Sequence, residues 1–427
     1  MLRLCLLSLL LLVLRPAEET QARQPFATDL LTPIGLEMDT RGRLWVAQVG
    51  TGNNDGRISV VTPDGQVYPF LDGLGSVPEA DGNAGTYHLR FIDGWLYFSN
   101  GMGTVTPEGY LLRVDTTGFT PGDPPRPLAA IDTVTNVGAF ATDNGFPANN
   151  LYDLAEGPDG DLFLVDAGAN ALFRMDGATG ALSVLATFDP IPNPTPVGPP
   201  MIDPVPTSVV YHEGRLYVSL FTGFPFLDGL AGVYEVSMTG EVTPVQEGLT
   251  LVTDLAVDPA DGSLLALQMA RFDLEGGFLP ETGNLLRLAG GTVDTLLSGL
   301  MLPSAMYPTA EGDVYLSSLI GVIFKMPMAS ATSVEAEALP ARFTLGPNYP
   351  NPFTASTHIH FHLHEPAHVT LHIFDLLGRE VTPLLEGRYP AGTFEVPWQA
   401  TGQPGGIYFY RLEANGQTQI RAMVLVR

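Results

Sequence analysis

Apolar and polar residues follow one recurring pattern over the first three quarters of the chain. Each copy has alternating apolar residues, a short polar turn that contains glycine, and a second alternating stretch, as in GLEMDTRGRLWVAQV. A period of two is typical of a strand with one buried face, and glycine in a short polar turn favours a hairpin. We therefore predict six hairpins, at residues 35–49, 87–100, 152–167, 207–220, 253–268 and 304–318, with turn glycines Gly42, Gly94, Gly160, Gly214, Gly262 and Gly312.

A second pair of alternating stretches follows most of these hairpins, at residues 56–74, 170–188, 232–249 and 283–300. Each unit thus has four antiparallel strands in about 50 residues. Six such units predict a six-bladed β-propeller over residues 23–326. The alternative, a β-solenoid, uses shorter repeats and parallel strands. The sixth unit lacks its last strand, and we expect residues 23–33 to supply it, which removes an open sheet edge.

The pattern changes after residue 326. Residues 327–342 are rich in Ala, Ser, Glu and Pro and are predicted to be a linker. Residues 343–427 contain about seven short alternating stretches, which predict a small C-terminal β-sandwich. The fold class is therefore all-β, with two folded parts.

The N-terminus has the pattern of a secretory signal peptide. A basic start is followed by the apolar run Leu4–Leu14, and Thr20-Gln21-Ala22 is a small-residue cleavage pattern. The alternative is a membrane anchor, but the run is too short to span a bilayer. Removal of residues 1–22 leaves no transmembrane segment, and it also removes Cys5, the single cysteine. The mature chain is then expected to contain no disulfide.

The formal net charge of −26 argues against one class of partner. Nucleic-acid binding requires clustered Lys and Arg side chains that replace counterions along the phosphates. We therefore expect no nucleic acid among the partners.

Three stretches of the repeat region carry a family resemblance: NALFRMD (170–176), VPTSVVYHEGRLYVSLFTGFPF (205–226) and LVTDLAVDPADGSLLALQ (251–268). They resemble the ScyD/ScyE family of exported β-propeller proteins, and the resemblance covers roughly residues 25–326. It implies an exported propeller. It implies no particular activity, because no catalytic motif defines the family. The hairpins alone are also common to NHL-type and sugar-lactonase-like propellers.

The C-terminal part carries a second resemblance. Its motifs are VTLHIFDLLGREV (369–381), AGTFEVPWQA (391–400), GGIYFYRLEA (405–414) and a run of six residues: Asn348, Tyr349, Pro350, Asn351, Pro352 and Phe353. Together they resemble the type A C-terminal sorting domain of the type IX secretion system. The resemblance implies that residues 343–427 bind the secretion machinery. It also implies delivery across the outer membrane, often with removal of the tail, to the medium or the cell surface.

Four histidines alternate along one stretch of the tail: His358, His360, His362 and His364. In a strand these side chains share one face, while Ile359, Phe361 and Leu363 share the other. Imidazole is a common ligand of Zn²⁺ and Ni²⁺, so a metal site is one interpretation. We see no acidic second-shell partner in the sequence and interpret the histidines as a solvated strand face, without a predicted metal.

Alignment of the six units on their turn glycines brings a set of polar residues to the inner strands. Gly35, Asp153, Thr207 and Asp254 fall at roughly equivalent positions, and Glu37, His88 and Arg90 lie nearby. Acids across a channel could hold Ca²⁺, which prefers oxygen ligands, although no ion is predicted. Equally, Asp side chains often cap turns or bind backbone amides. The candidate ligand set is Glu37, His88, Arg90, Asp153, Thr207 and Asp254.

No catalytic motif is present. The sequence lacks a G-x-S-x-G elbow, an H-E-x-x-H pair and a phosphate-binding G-x-x-x-x-G-K-[ST] loop. We therefore favour a non-catalytic binding or scaffolding module. The alternative is a metal-dependent, lactonase- or lyase-like enzyme that uses the channel acids.

Overall fold

A computed structural model describes residues 25–79, 82–101, 109–274, 277–328, 343–351, 353–375, 380–414 and 417–425. Within these residues the chain is nearly all β-structure. The predicted signal peptide, most of the predicted linker and Pro352 of the sorting motif lie outside them. The described part holds no helix that is long and apolar enough to cross a membrane.

The first half of the repeat region forms three antiparallel four-stranded sheets. Sheet 1 contains β1 (Pro33–Met38), β2 (Leu44–Gln48), β3 (Gly56–Val61) and β4 (Val67–Leu74). A small hairpin follows, with β5 (Val77–Glu79) and β6 (Gly82–Ala84). Sheet 2 contains β7 (Thr86–Ile92), β8 (Trp95–Asn100), β9 (Tyr110–Asp115) and β10 (Ile131–Asn136), with a 3₁₀ turn at Leu128–Ala130. Helix α1 (Val137–Asp143) leads to sheet 3, which contains β11 (Leu151–Glu156), β12 (Leu162–Asp166), β13 (Ala171–Met175) and β14 (Leu182–Thr187), with a 3₁₀ turn at Pro158–Gly160.

The second half repeats this plan. The pair β15 (Ile191–Pro192) and β16 (Met201–Ile202) precedes sheet 4, which contains β17 (Pro206–His212), β18 (Arg215–Leu220), β19 (Ala231–Val236) and β20 (Val242–Leu249). Sheet 5 contains β21 (Val252–Val257), β22 (Leu264–Gln268), β25 (Gly283–Ala289) and β26 (Thr292–Leu300), and the hairpin β23 (Arg271–Asp273) and β24 (Gly277–Leu279) is inserted into it. Sheet 6 contains β27 (Pro303–Pro308), β28 (Asp313–Ser318) and β29 (Val322–Pro327).

The first strands of the six sheets form a closed ring. Each contacts the first strand of the next sheet, and β27 of sheet 6 contacts β1 of sheet 1. The six predicted turn glycines all lie in turns after these strands and have φ between 72° and 86°. Residues with a Cβ rarely adopt this left-handed conformation, which explains glycine at these positions. The predicted hairpins are therefore confirmed.

Sheet 6 has three named strands and a partner from the other end of the chain. Ala27 forms an antiparallel bridge with Ile323 of β29. The Phe26 amide donates to Ile323 O at 2.7 Å, and the Leu30 amide donates to Gly321 O at 3.1 Å. The N-terminal segment thus pairs with β29 as expected, through a bridge rather than a full strand.

The core of the ring lies between neighbouring sheets rather than at its centre. At the junction of sheets 1 and 2, for example, Trp45 and Phe70, both of sheet 1, pack with their ring centroids 4.8 Å apart. Both side chains are fully buried, together with Phe98 from sheet 2. Burial of apolar surface at each junction holds neighbouring sheets together.

The C-terminal part contains seven strands in the described residues. Their bounds are β30 (Phe343–Leu345), β31 (Ser356–Leu363), β32 (Ala367–Asp375), β33 (Glu380–Tyr389), β34 (Gly392–Gln399), β35 (Gly406–Ala414) and β36 (Gln417–Leu425). One sheet has the order β30-β31-β34 and the other β33-β32-β35-β36. The two sheets share one buried core, which includes Phe343, Phe361 and Trp398.

Several residues of the predicted sorting motif fix the start of this part. The Asn348 side chain is buried and donates to Thr357 Oγ1 at 2.8 Å and to Pro350 O at 3.2 Å. Phe353 is buried and packs against Trp398 with the ring centroids 5.5 Å apart. Tyr349 is 76% exposed and bridges His358 through its backbone. Asn351 is exposed.

Candidate functional site

Each of the six first strands carries one extra residue near its start. In sheet 1, Pro33 pairs with Gln48 but Gly35 pairs with Ala47, and sheets 3 to 6 have the same bulge. In sheet 2 the extra residue lies between Thr86 and Leu89, and His88 precedes the pair of Leu89 with Phe98 as Asp153 precedes that of Leu154 with Leu164. A bulge bends the strand and re-aims the side chain beside it. The residue at its end has one equivalent place in every sheet, here called the ring position. The ring positions are Gly35, His88, Asp153, Ser208, Asp254 and Ala305.

This register corrects one residue of the sequence alignment. Ser208, and not Thr207, occupies the ring position of sheet 4. The hairpin of sheet 4 has a two-residue turn, since His212 pairs with Arg215, so its turn glycine lies one residue closer to the ring position than in sheet 3. Thr207 instead donates from Oγ1 to Val252 O at 2.7 Å, which links sheets 4 and 5.

The two aspartates at ring positions each accept an amide from the next sheet. Asp153 Oδ2 accepts the Val209 N–H at 2.9 Å, and Asp254 Oδ2 accepts the Met306 N–H at 2.7 Å. Hydrogen bonds of this kind satisfy backbone amides at the junction between two sheets. Both acids therefore have a structural role, whatever else they do.

Ser208 lies between these two carboxylates. Its Oγ is 2.8 Å from Asp153 Oδ2 and 3.1 Å from Asp254 Oδ1. A hydroxyl has one proton, so it donates to one carboxylate at a time. Burial raises the pKa of Asp254 to about 6; the nearby charge of Asp153 acts in the same direction, and His88 opposes it. A protonated Asp254 can donate to Ser208 Oγ while Ser208 donates to Asp153.

His88 completes the cluster. It is 6% exposed, and its Nδ1 lies 3.4 Å from Asp153 Oδ1. Its ring packs against Tyr152 with centroids 5.3 Å apart. The other ring nitrogen, Nε2, is buried and has no hydrogen-bond partner. One donor atom each of His88, Asp153 and Asp254 can be chosen so that all three lie within 4.8 Å of one another.

Glu37 and Arg90 form a second charged group. Each lies two residues after the ring position of its strand, on β1 and β7. Arg90 Nη1 lies 3.0 Å from Glu37 Oε2, and the Arg90 side chain is 34% exposed. Burial raises the pKa of Glu37, although Arg90 and the Phe91 amide favour its ionised form. Arg90 therefore offers part of its guanidinium to solvent while it compensates a buried acid.

A cavity of about 370 Å³ lies at the centre of the ring, and His88, Asp254 and Arg90 contribute to its polar floor. It is formed by the later halves of all six first strands, on the side of the hairpin turns. Its polar lining includes His88, Arg90, Glu156 and Asp254, with Tyr211 and Tyr307 on the wall. Apolar residues such as Leu36, Leu255 and Met306 make up much of the rest. Of the residues selected from the sequence, Asp254, His88 and Arg90 line the cavity. Asp153 lies beside His88, and Glu37 is paired with Arg90. Thr207 lies at the junction of sheets 4 and 5.

Sequence reasoning missed Ser208, Tyr211 and Tyr307. Counting hairpin lengths separately in each unit would have found Ser208. The two tyrosines had no signal, since alternation alone does not tell a wall residue from a core residue.

The histidine face of the tail is also more connected than expected. Ile359, Phe361 and Leu363 are buried, which confirms the predicted alternation. However, an acidic partner is present: Glu395 on the neighbouring strand β34 has Oε1 2.5 Å from His358 Nδ1 and Oε2 3.7 Å from His360 Nε2. The sequence did not show it because the pairing of β31 with β34 joins residues far apart in the chain.

No curated protein matches the chain. The structure is similar to a protein of unknown function from Bacteroides thetaiotaomicron, at 14% identity and a TM-score of 0.48, over 72% of this chain and 75% of that one. It is also similar to PQQ-bound aldose sugar dehydrogenase from Streptomyces coelicolor, at 15% identity and a TM-score of 0.48, over 72% of this chain and 97% of that one. A third similar structure is virginiamycin B lyase from Staphylococcus aureus, at 15% identity and a TM-score of 0.42, over 72% of this chain and 87% of that one.

These distant similarities assign no activity to the chain, and the ScyD/ScyE resemblance stays a prediction. The family model described as "Secretion system C-terminal sorting domain" matches residues 348–426. The chain therefore carries a C-terminal sorting domain, which directs it to the cell surface or the medium.

Proposed function

We propose that the exported chain is a six-bladed β-propeller that binds a small polar ligand in its central cavity, without catalysis. The propeller comprises residues 23–326, after a signal peptide at 1–22. A linker at 327–342 joins it to a β-sandwich sorting tail at 343–427, which engages the secretion machinery. The closed ring of first strands and the bridge between Ala27 and Ile323 support the six-bladed arrangement.

One observation carries the ligand proposal: a cavity of about 370 Å³ at the centre of the ring with a polar floor and a largely apolar wall. Sites for small molecules are concave, mostly apolar, and contain a few placed polar groups. Arg90, Tyr211 and Tyr307 supply such groups, and all three can bind hydroxyl or carbonyl oxygens of a ligand. A compact, oxygen-rich molecule fits this lining best.

A thermal-shift screen of the full chain against sugars, lactones and phenolic acids, in EDTA, tests the proposal. A ligand that binds only the native state raises the melting temperature. At a hundredfold excess over its Kd, it increases the free energy of unfolding by about 2.7 kcal/mol. Each hit is then titrated into Arg90→Ala and into Arg113→Ala, which is a control because Arg113 pairs with Asp132 outside the cavity. We expect weaker binding only for Arg90→Ala. Equal affinity in both variants would exclude the cavity as the site.

A second candidate function is catalysis in the same cavity. The observation that favours it is His88, whose Nδ1 faces Asp153 while its Nε2 is buried and unpartnered. A histidine oriented by a carboxylate is a common general base in hydrolysis and elimination. If this is its role, His88→Gln abolishes turnover of a bound ligand without loss of its binding. Slow consumption of hits by the wild type, followed by chromatography, would reveal the activity.

A further inference from the structure

We propose that His88, Asp153 and Asp254 form a binding site for one divalent transition-metal ion at the floor of the cavity. The inference rests on the proposed function only in that it assigns an ion to the same cavity. It names a cofactor for the site, and the ion's free coordination positions would face the small ligand.

The first argument is distance. Atoms that bind one ion at about 2.0–2.6 Å can lie no more than about 5 Å apart. The three donor atoms of His88, Asp153 and Asp254 lie within 4.8 Å of one another. They come from sheets 2, 3 and 5, so the register of three separate strands produces this convergence.

The second argument is charge. Two buried carboxylates face each other across Ser208, and neither forms a salt bridge with an Arg or Lys among the described residues. The nearest guanidinium, that of Arg90, is already bound to Glu37. Buried charges are normally paired or bound to a metal. A divalent cation between the carboxylates would supply positive charge that no Arg or Lys of the described residues brings to them.

The third argument is the unpartnered nitrogen. The His88 side chain is 6% exposed, and its Nε2 has no hydrogen-bond partner. Buried polar atoms are rarely left unsatisfied, so such an atom at a cavity wall indicates a missing ligand. The His88 ring therefore keeps one buried nitrogen free for a ligand, beside the two acids.

The amide bonds to the two acids do not compete with this role. Each carboxylate oxygen has two lone pairs. The Val209 and Met306 amides each use one on Oδ2, and the Leu154 amide uses one on Asp153 Oδ1, which leaves Oδ1 of each acid with a lone pair for an ion. Bonds of this kind orient metal-binding carboxylates in many sites. The donor set of one imidazole and two carboxylates favours Zn²⁺ or Mn²⁺ over Ca²⁺, which prefers six or more oxygens.

The test is calorimetric titration of Zn²⁺, Mn²⁺ and Ca²⁺ into the full chain after removal of metals with EDTA, without any small-molecule ligand. The tail histidines could bind the same ions, so the titration is repeated with a His358→Ala, His360→Ala double variant. The channel variants are His88→Gln, Asp153→Asn and Asp254→Asn. Asp166→Asn is the matched control, because Asp166 is also buried but bonds to the amides of Asn150 and Ala169.

We expect one tight site per chain for Zn²⁺ or Mn²⁺, with affinity reduced at least tenfold in each channel variant. It should be unchanged in the tail double variant and in Asp166→Asn. Circular dichroism of the channel variants in EDTA verifies that they are folded, and a folded variant that retains the tight site overturns the proposal. Loss of the site only in the tail variant, or no binding by the wild type, also overturns it. Ligand binding in EDTA is a separate readout, so either proposal can fail alone.

Discussion

Replacement of Asp254 by asparagine should stabilise the metal-free protein at neutral pH. Burial raises the pKa of this carboxyl to about 6 from an ordinary 3.8. A group with a raised pKa in the folded state favours folding below its unfolded pKa, and this contribution is lost as the pH rises through the folded value. Each pKa unit is worth about 1.4 kcal/mol, so the ionised Asp254 costs the folded state about 3 kcal/mol above pH 7. Asp254→Asn removes this cost and keeps an oxygen for the Met306 amide.

The expected gain is about 1–3 kcal/mol at pH 7.5, because a neutral amide is a weaker acceptor than a carboxylate. At pH 5, where Asp254 is largely protonated in the folded state, the gain should fall to about half of that value. Urea unfolding in EDTA at both pH values measures it, with Glu156→Gln as an exposed acid at the same cavity that should have little effect. A variant that is less stable than the wild type at both pH values would refute the reasoning and would make the ionised carboxylate a stabilising structural group.

Three other outcomes are expected. Gly35→Ala should be severely destabilised in thermal unfolding, because its Cβ would lie 2.4 Å from Tyr87 O. Gly214→Ala, where nothing lies within 4 Å of the added Cβ, should lose only about 1–2 kcal/mol because of its positive φ. Similar losses in both variants would refute the close approach at Gly35. Ser208→Ala should cost about 1–3 kcal/mol in urea unfolding, because two buried carboxylates lose their shared hydrogen bond, and a neutral effect would contradict that arrangement. Deletion of residues 343–427 should leave the protein in the periplasm in cell fractionation, and normal export of the truncated chain would contradict the role of the tail.

The hairpins could be predicted from the sequence because they depend on local signals. Alternation and the turn glycines, such as Gly42 and Gly312, are visible in any short window. The seven strands of the tail follow from the same signals. Short-range sequence signals were therefore sufficient to predict most of the strands.

The site could be predicted only in part, because it depends on register between distant strands. His88, Asp153 and Asp254 could be selected as polar residues on inner strands, but their convergence needs the bulge in every first strand. Thr207 was selected in place of Ser208 for a different reason, because the hairpin turn of sheet 4 is one residue shorter than that of sheet 3. The contact between His358 and Glu395 likewise depends on a strand pairing that no local pattern shows.

The closure of the ring has a consequence for how the chain folds. The strand β1 packs beside β27, and Ser304 Oγ donates to Pro33 O at 2.6 Å across a separation of 271 residues. The bridge of Ala27 with Ile323 adds a second contact of similar range. Contacts between such distant residues slow folding, because a long loop must close before they form. During synthesis from the N-terminus, β1 lacks its contact with β27 until residues 303–308 have been made, so the ring can close only late in folding.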